Sequence, residues 1–474
     1  MSRIAILGGG PAGVGAAYWL ARAGHEAVLV EQAERVGGNA GSFELAGIRV
    51  DYGSHRLHPA ADPEILALLH AVLKGDLLER PRHGRIRLLG RWIHFPLRPL
   101  DLALRLHPRF AAGVLADAAG KLVRGGGGAR RDDDTFASVL ERGLGRTICR
   151  EFYFPYARKI WGLAPEAISP LQAYKRVSAG SLAKLVRRLL PGGQGSGARQ
   201  SKGVFFYPRR GYGQLWERLA EEAAAAGAEL RLATRVARIV LEPAGRHRVE
   251  TERGGGKETI EADHVWSTIP IAALARLVEP GAPPEVRAAA ASLALRGMLL
   301  VYLVLETDRF TEFDAHYFPE ADLPFTRLSE PKNYAAVVEP AGRTVLCAEI
   351  PCQREDALWA RDEASLGALV QDGLARAGLP LRAKVSAVHV ERLPAAYPIY
   401  ARGFETHFAR LDGWADGLPR LLSFGRQGLY AHDNAHHALA MAKAAVSCLA
   451  PDGGFDRAAW ARHRAVFETH VVED

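Results

Sequence analysis

A glycine-rich turn near the start of the chain constrains the fold more than any other stretch. The turn reads Gly8-Gly9-Gly10-Pro11-Ala12-Gly13 and stands between an apolar run at residues 4–7 and an alanine-rich stretch at residues 14–22. A second apolar run at residues 27–30 ends in Glu31. This order predicts a strand, a tight turn, a helix and a second strand, which together form the βαβ unit that binds dinucleotides.

Each residue of this motif has a physical reason for its place beside a pyrophosphate. Gly8 permits the tight turn, Gly10 lets the backbone approach the pyrophosphate, and Gly13 lets the helix pack closely on the strand. The helix that begins at Pro11-Ala12 offers free N–H groups and the positive end of its dipole. Glu31 is placed to accept hydrogen bonds from a ribose. The alternative is a glycine turn without a ligand, which the agreement of strand, helix and acid disfavours.

A second glycine pair follows the acid, within Arg35-Val36-Gly37-Gly38-Asn39. The two motifs together resemble the FAD-binding fold shared by amine oxidases, protoporphyrinogen oxidases and UDP-galactopyranose mutases, in which this pair marks FAD rather than NAD. The resemblance implies an FAD cofactor. Beyond the first motif, the residues that it assigns to FAD are Gly37, Gly38, Asn39, Val236, Gly425, Arg426 and Asn434.

The resemblance also implies an α/β protein in which a discontinuous, Rossmann-like FAD-binding domain carries an inserted, mixed α+β substrate domain. Residues 265–270 would return to the first sheet as its crossing strand. Residues 101–123 have a helical pattern, and the glycine-rich stretches 125–128 and 191–203 predict a connector and a flexible loop. The predicted domain limits are 1–75, 204–290 and 410–474 for FAD, and 76–203 and 291–409 for the substrate, with a helical part at 101–190.

Several segments match stretches around the nucleotide-sugar pocket of the UDP-galactopyranose mutases. They are residues 52–58, 156–162, 173–176, 324–332, 397–400 and 425–430. By this resemblance the catalytic residues are His55, Arg327, Arg426 and Tyr430. The substrate-binding residues are Tyr156, Trp161, Arg176, Tyr207 and Tyr397.

The match has two departures. The mutases carry a second arginine shortly after the position of Arg176, where this chain has Ser178-Ala179-Gly180-Ser181. Their Met-Asp pair at the start of the last helix is replaced here by His436-His437.

Structural alternatives remain open for three of these segments. The aromatic stretch at residues 152–161 would also suit a helix that packs into a core. Arg327 would also suit a surface salt bridge with Glu330. His55 and His58 are spaced like metal ligands, but they lack a nearby acid or third ligand, so no metal is predicted.

Composition and net charge limit the compartment and the binding partners that the chain can have. The chain has 474 residues, is 48% hydrophobic and contains four scattered cysteines, which predicts a reduced, cytoplasmic protein of two or three domains. The sequence shows neither a signal peptide nor an apolar run long enough for a membrane span, so no membrane partner is expected. The net charge of +8 reflects either genome composition or a cleft for an anionic small molecule. Without a basic tail, nucleic acid is not an expected partner; a homodimer remains open.

Two enzyme classes share these motifs, and the fold alone cannot separate them. The first is a mutase-like flavoenzyme that acts through flavin N5 on an anionic nucleotide sugar. The alternative is an oxidase or dehydrogenase that removes a hydride from a C–H bond of a small molecule. A flavin-binding structural protein is a third class, which the number of polar groups near the flavin disfavours.

Overall fold

The fold is that of a computed structural model, which describes residues 1–124, 131–176 and 203–472. The predicted connector at residues 125–128 lies outside the described residues, as do residues 178–181 and the predicted flexible loop apart from Gly203. No helix within the described ranges is long and apolar enough to cross a membrane.

The strands lie in every part of the chain. In chain order they are β1 (Arg3–Leu7), β2 (Glu26–Val30), β3 (Ser42–Leu45), β4 (Ile48–Asp51), β5 (Leu77–Pro81), β6 (Gly84–Leu88), β7 (Arg91–Phe95), β8 (Val204–Pro208), β9 (Glu229–Arg231), β10 (Arg235–Val240), β11 (His247–Arg253), β12 (Gly256–Ala262), β13 (His264–Ser267), β14 (Val278–Glu279), β15 (Leu295–Leu305), β16 (Ala315–Tyr317), β17 (Arg327–Ser329), β18 (Thr344–Cys352), β19 (Val385–Pro398) and β20 (Leu421–Ser423).

The helices connect and cover these strands. In chain order they are α1 (Pro11–Arg22), α2 (Pro63–Leu73), α3 (Pro99–Arg105), α4 (Pro108–Arg124), α5 (Phe136–Leu144), α6 (Arg146–Ile148), α7 (Phe154–Trp161), α8 (Pro170–Arg176), α9 (Gln214–Ala225), α10 (Ile271–Leu277), α11 (Pro284–Ser292), α12 (Pro331–Ala335), α13 (Glu363–Arg376), α14 (Phe404–Asp416), α15 (Gly425–Gly428), α16 (Ala435–Ser447) and α17 (Arg457–Phe467).

The first sheet is parallel and is assembled from distant parts of the chain. Its strand order is β20-β13-β1-β2-β9, and every neighbouring pair is parallel. Its central strands are apolar runs because both faces are covered, and α1 packs against α9 and α16 on one side. The predicted return strand is β13, so the discontinuous Rossmann-like fold is confirmed. The predicted domain limits remain a prediction.

A second, mixed sheet forms the core of the inserted region. Its order is β19-β15-β18-β17-β16-β6-β7, and the apolar strand β15 pairs with β18 and β19 on its two sides. Residues Leu299, Val301 and Leu303 of β15 are fully buried. This sheet presents Arg327 on β17 and Tyr397 on β19, so it positions the polar side chains described below.

Two predictions about helices need correction. The helical pattern over residues 101–123 is broken, because α3 ends at Arg105 and Pro108 begins α4; proline cannot continue a helix but is favoured in a first turn. The helix that begins after Asn434 is also not the last one. A further helix, α17, follows it and is capped by Asp456, whose side chain accepts the N–H of Ala459.

Candidate functional site

The glycine turn has the shape that its sequence predicts. Gly8 has a φ of +100°, which favours glycine. A Cβ at Gly13 would lie 1.8 Å from the carbonyl oxygen of Gly8, so only glycine lets α1 pack this closely on β1. A Cβ at Gly10 would meet no heavy atom within 4 Å. The turn is therefore crowded on its inner side and open beside Gly10, at the N-terminus of α1.

Glu31 performs a task that the sequence did not reveal. Its Oε2 accepts the N–H of Gly9 at 2.6 Å, and its Oε1 accepts the N–H of Ala33 at 2.9 Å. The carboxylate thus holds the glycine turn in place. Each oxygen keeps a second lone pair, which can accept a hydroxyl donor.

The second glycine pair closes on the first. The N–H of Gly37 donates to the carbonyl of Gly9 at 2.7 Å, and Gly37 has a φ of +106°. A Cβ at Gly38 would lie 3.5 Å from the Cα of Gly10. The glycine turn and the Gly37-Gly38 loop are therefore neighbours, and both border the open space beside Gly10.

The end of β19, a strand of the second sheet, is held by hydrogen bonds from residues near the two glycine motifs and the last βα turn. The side-chain amides of Asn39 and Gln427 both donate to the carbonyl of Ala395, at 2.9 and 3.0 Å. The guanidinium of Arg426 donates to the carbonyl of Ala396 at 3.1 Å. The residue after the second glycine pair and the last βα turn thus both hold Ala395 of β19, and the last βα turn also holds Ala396.

The last βα turn also packs on the first. Gly425 has a φ of +81° and a Cβ there would lie 2.7 Å from the Cβ of Ala12. Asn434 caps α16 in a capping box with His437. Val236 lies on β10, half-buried against the core of the parallel sheet.

His55 lies near Arg327 and Arg426, two other residues of the predicted substrate site. Its ring stacks on Tyr212, with 5.3 Å between centroids and 19° between planes. Burial, together with the charges of Arg327 and Arg426, lowers the pKa of His55 to about 3. The imidazole is therefore neutral near pH 7.

Arg327 is paired with Glu349 rather than with Glu330. Its Nε and one terminal nitrogen donate to the two carboxylate oxygens of Glu349, each at 2.9 Å. Glu349 also accepts the N–H of Ser54 at 2.7 Å. Glu330 is buried and accepts the N–H of Phe310 at 2.8 Å. The surface pairing with Glu330 is therefore excluded, and Arg327 is fixed to the loop that carries His55.

Arg426 and Tyr397 complete this cluster. The Arg426 guanidinium carbon lies 5.1 Å from the centroid of the Tyr397 ring, which is cation–π distance. Burial opposes the charge of Arg327, but Glu349 and, to a smaller extent, Tyr397 raise the pKa of this guanidinium. We call the group formed by His55, Arg327, Glu349, Tyr397 and Arg426 the arginine cluster.

Two predicted ligand contacts are corrected by the structure. Tyr207 is 1% exposed, and its hydroxyl donates to Oδ2 of Asp51 at 2.6 Å. Tyr430 is 4% exposed, and its hydroxyl accepts the N–H of Ile399 at 3.1 Å and donates to the carbonyl of Ala294. Both phenols are satisfied by protein groups and stabilise the core.

The remaining predicted substrate residues lie on the helical part. Trp161 is buried, with its ring 5.6 Å from Phe136, which is the packing role left open above. Tyr156 is half-buried with its ring 5.9 Å from that of Phe152. Arg176 is the last residue of α8, and its side chain lies outside the described part of the structure.

Two important residues were missed by the sequence interpretation. Lys159 is part-buried, and its ammonium donates to the carbonyls of Phe318, Glu320 and Phe325, at 2.7 to 2.9 Å, so it ties α7 to the segment before Arg327. Glu349 is the second. A lone acid within the apolar run of β18 was a signal that it has a buried partner.

Loss of the Glu31 carboxylate should weaken FAD binding moderately. In Glu31→Ala the N–H groups of Gly9 and Ala33 lose their acceptor and the predicted ribose contact is removed, so we expect a loss of about 1–2 kcal/mol. The measurement is the FAD dissociation constant from fluorescence titration. Glu34→Ala, an exposed acid nearby, is the matched control; equal affinities in the two variants would exclude a role for Glu31.

The chain is similar to several known flavoproteins. A family model for flavin containing amine oxidoreductases matches residues 11–447. Human protoporphyrinogen oxidase is 27% identical over 324 residues, which cover 62% of this chain and 65% of that protein. The match therefore spans slightly less than two thirds of that relative. A putative flavin-containing monoamine oxidase of Mycobacterium tuberculosis is 28% identical over 195 residues, or 39% of this chain and 42% of that protein.

Solved structures share the fold over nearly the whole chain. Reduced UDP-galactopyranose mutase superposes with a TM-score of 0.78 at 20% identity, covering 94% of this chain and 93% of that one. A putative protoporphyrinogen oxidase from Exiguobacterium gives 0.70 at 22% identity, covering 94% and 98%. The family match covers most of the sequence, and the open glycine turn fits the cofactor. The chain belongs to the flavin containing amine oxidoreductase family and is an FAD-dependent enzyme.

Proposed function

We propose that this FAD enzyme acts on a small anionic molecule, in the manner of a nucleotide-sugar mutase. The observation that carries the proposal is the arginine cluster. Its five side chains hold two guanidinium charges, one carboxylate and a neutral imidazole. A largely buried group with this balance favours an anionic ligand over a cationic amine.

The glycine turns support the placement of the cofactor. The opening beside Gly10 would receive the pyrophosphate at the N-terminus of α1, with Glu31 toward the ribose and the Gly37-Gly38 loop on the adjacent side. Gly425 and Asn434 would face the flavin end. Bound FAD supplies the reacting group, so the protein itself needs no nucleophile.

The two arginines would bind the anion in different ways. Glu349 occupies one edge of the Arg327 guanidinium, which leaves the N–H groups of its other terminal nitrogen to face a ligand. Arg426 donates to the carbonyl of Ala396 and lies over the Tyr397 ring, and these two contacts fix the direction of its guanidinium. We therefore assign the main anion contact to Arg426 and a supporting contact to Arg327.

Removal of Arg426 should weaken anion binding in protein that has been saturated with FAD. A charge-assisted hydrogen bond contributes about 1.5–3 kcal/mol, so Arg426→Ala should raise the dissociation constant of UDP, the anionic part of a nucleotide sugar, roughly tenfold to a hundredfold. Arg426→Lys should restore part of this, because the planar fork is lost but the charge remains. The measurement is isothermal titration calorimetry on FAD-loaded protein.

The exposed Arg402 offers the matched control. Arg402→Ala removes the same charge elsewhere and should bind UDP like the parent. Arg327→Ala is a poor variant, because it leaves Glu349 buried without its partner, which costs about 3–5 kcal/mol of stability. If UDP binds equally well with and without Arg426, the anion assignment is wrong.

The alternative function is removal of a hydride from a C–H bond, and two findings favour it. The family model is one of amine oxidoreductases, and the human relative is a protoporphyrinogen oxidase. An anaerobic assay that follows flavin absorbance and substrate conversion distinguishes the two reactions. A mutase should convert its nucleotide sugar only after chemical reduction of the flavin and without net redox change. Bleaching of oxidised flavin by an amine or another C–H donor would instead establish the oxidase.

A further inference from the structure

Three metal-ligating side chains meet where the C-terminal segment passes the start of α16. Asp433 precedes this helix, His437 lies on its first turn, and His470 follows α17. One ligand atom from each lies within 4.8 Å of the others. None of the three has been assigned above to FAD or to the substrate. We call them the Asp–His–His group.

The carboxylate of Asp433 shows the clearest sign of a missing ligand. Its side chain is only 1% exposed. One oxygen, Oδ2, lies 3.3 Å from Nδ1 of His470, but Oδ1 is buried with no hydrogen-bond partner among the described residues. Such an oxygen is costly to bury, so a cation or donor is expected beside it.

One ring nitrogen of each of the two imidazoles lies close to the Asp433 carboxylate. Nδ1 of His437 is 4.0 Å from Oδ1 of Asp433, and the two rings stack with 4.2 Å between centroids. Two ligands that bind one tetrahedral ion at about 2.0–2.1 Å lie roughly 3.3 Å apart. The observed separations of 3.3 and 4.0 Å are therefore close to those of a coordinated set.

We propose that the Asp–His–His group binds one divalent transition-metal ion, with Zn²⁺ as the best-suited species. Two imidazoles and one carboxylate are ligands that Zn²⁺ and its neighbours accept, whereas Mg²⁺ and Ca²⁺ prefer oxygen alone. A water molecule would take the fourth position. His437 would give up the capping contact in which its Nδ1 accepts the N–H of Asn434 at 3.3 Å. Both imidazoles would turn out of their stack to direct their lone pairs at the ion.

The ion would fasten the C-terminal segment to the rest of the protein. His470 is the only ligand from that segment, and two residues later the N–H of Val472 donates to the carbonyl of Lys175 on α8 at 2.9 Å. Binding to the folded state alone raises stability with ion concentration. This inference does not depend on which reaction the enzyme catalyses.

The competing explanation is an ion-pair network without metal. Burial raises the pKa of Asp433, but the hydrogen bond from His470 and the charge of Lys175 lower it overall, so these two groups already offset part of the buried negative charge. They leave Oδ1 without a hydrogen bond, which is the reason to prefer a metal. The two explanations differ in whether the protein takes up zinc.

The test uses full-length, FAD-loaded protein that has been freed of metal with a chelator and then titrated with Zn²⁺. We expect one zinc per chain after desalting, measured by elemental analysis, and a rise in Tm as zinc is added. His470→Gln should weaken zinc binding by more than the roughly tenfold to hundredfold that loss of an outer-sphere partner costs. Asp433→Asn should do the same.

His463 provides the matched control, because it lies on α17 but outside the group. His463→Gln should bind zinc like the parent, and an unchanged flavin spectrum shows that each variant is folded. Failure of the parent protein to retain zinc would overturn the proposal in favour of the ion-pair network. Equal zinc binding by the parent, His470→Gln and Asp433→Asn would overturn it as well, since any zinc would then lie elsewhere.

Discussion

The variant Gly10→Ala should fold like the parent protein and lose most of its affinity for FAD. The backbone at Gly10 has a φ of −73°, which alanine adopts readily, and the added methyl group would meet no protein atom within 4 Å. The methyl would instead occupy the space that we assign to the pyrophosphate. Forcing a methyl into a packed contact costs about 1–3 kcal/mol, so the dissociation constant should rise up to roughly a hundredfold.

Two further glycine variants give this experiment its controls. Gly143→Ala, on α5, also adds a methyl into open space. It should leave FAD binding unchanged and raise stability by up to about 1 kcal/mol, because alanine is the better helix former. Gly13→Ala should lower the stability of the apoprotein as well as its FAD affinity, because the methyl would collide with the Gly8 carbonyl and separate α1 from β1. The measurements are the urea unfolding midpoint of the apoprotein and the FAD dissociation constant. Parent-like FAD affinity in Gly10→Ala would show that the pyrophosphate does not approach this turn.

The FAD side of the molecule could be predicted from the sequence because its geometry is local. Gly8 and Gly13 are five residues apart, and their contact follows from one strand, one turn and one helix. The Gly37 loop reaches Gly9 by a short connection after β2. Such contacts depend on glycine conformations and on the order of elements, and both can be inferred from a motif.

The arginine cluster could be predicted only in part, because its contacts depend on strand register. Arg327 and Glu330 are close in sequence, but Glu330 lies just beyond the end of β17, where its carboxylate accepts the N–H groups of Phe310 and Thr311. The partner of Arg327 is the residue directly across from it on β18, Glu349. That register is decided by the packing of the second sheet, which a single sequence does not display.

The corrected tyrosines illustrate a related limit. A tyrosine in a matching motif has a hydroxyl that can serve either a ligand or the protein. Tyr207 bonds Asp51, 156 residues away in sequence, and Tyr430 bonds the backbone of Ala294, 136 residues away. Only the folded chain reveals these partners, so the motif alone could not separate the two roles. The break at Pro108, by contrast, was visible in the sequence.

Acid should destabilise this protein strongly between pH 6.5 and pH 5. His247, His316 and His436 are buried, and His55 and His437 are partly buried. Burial is the main cause that lowers their pKa values, to about 4 for His247 and His437 and to about 3 for His316, His55 and His436. In the unfolded chain a histidine titrates near 6.5.

The direction follows from proton uptake. Below pH 6.5 the unfolded chain binds protons that the folded chain does not, so falling pH favours unfolding until the folded pKa values are reached. At pH 5 each histidine lowers the free energy of unfolding by about 2 kcal/mol. Asp51 acts in the opposite direction, because burial raises its pKa to about 6, and it offsets about 1 kcal/mol.

The net loss summed over the five histidines and Asp51 at pH 5 is therefore roughly 8–9 kcal/mol relative to pH 7.5, a large part of the stability of a typical protein. It should appear as a lower urea midpoint at saturating FAD. His316→Phe, which keeps a ring beside Trp92, should remove about a fifth of this pH dependence, because one of the five histidines is gone. His70→Gln, at an exposed histidine, should leave it unchanged. Equal midpoints at the two pH values would show that these histidines titrate in the folded protein as they do in the unfolded chain.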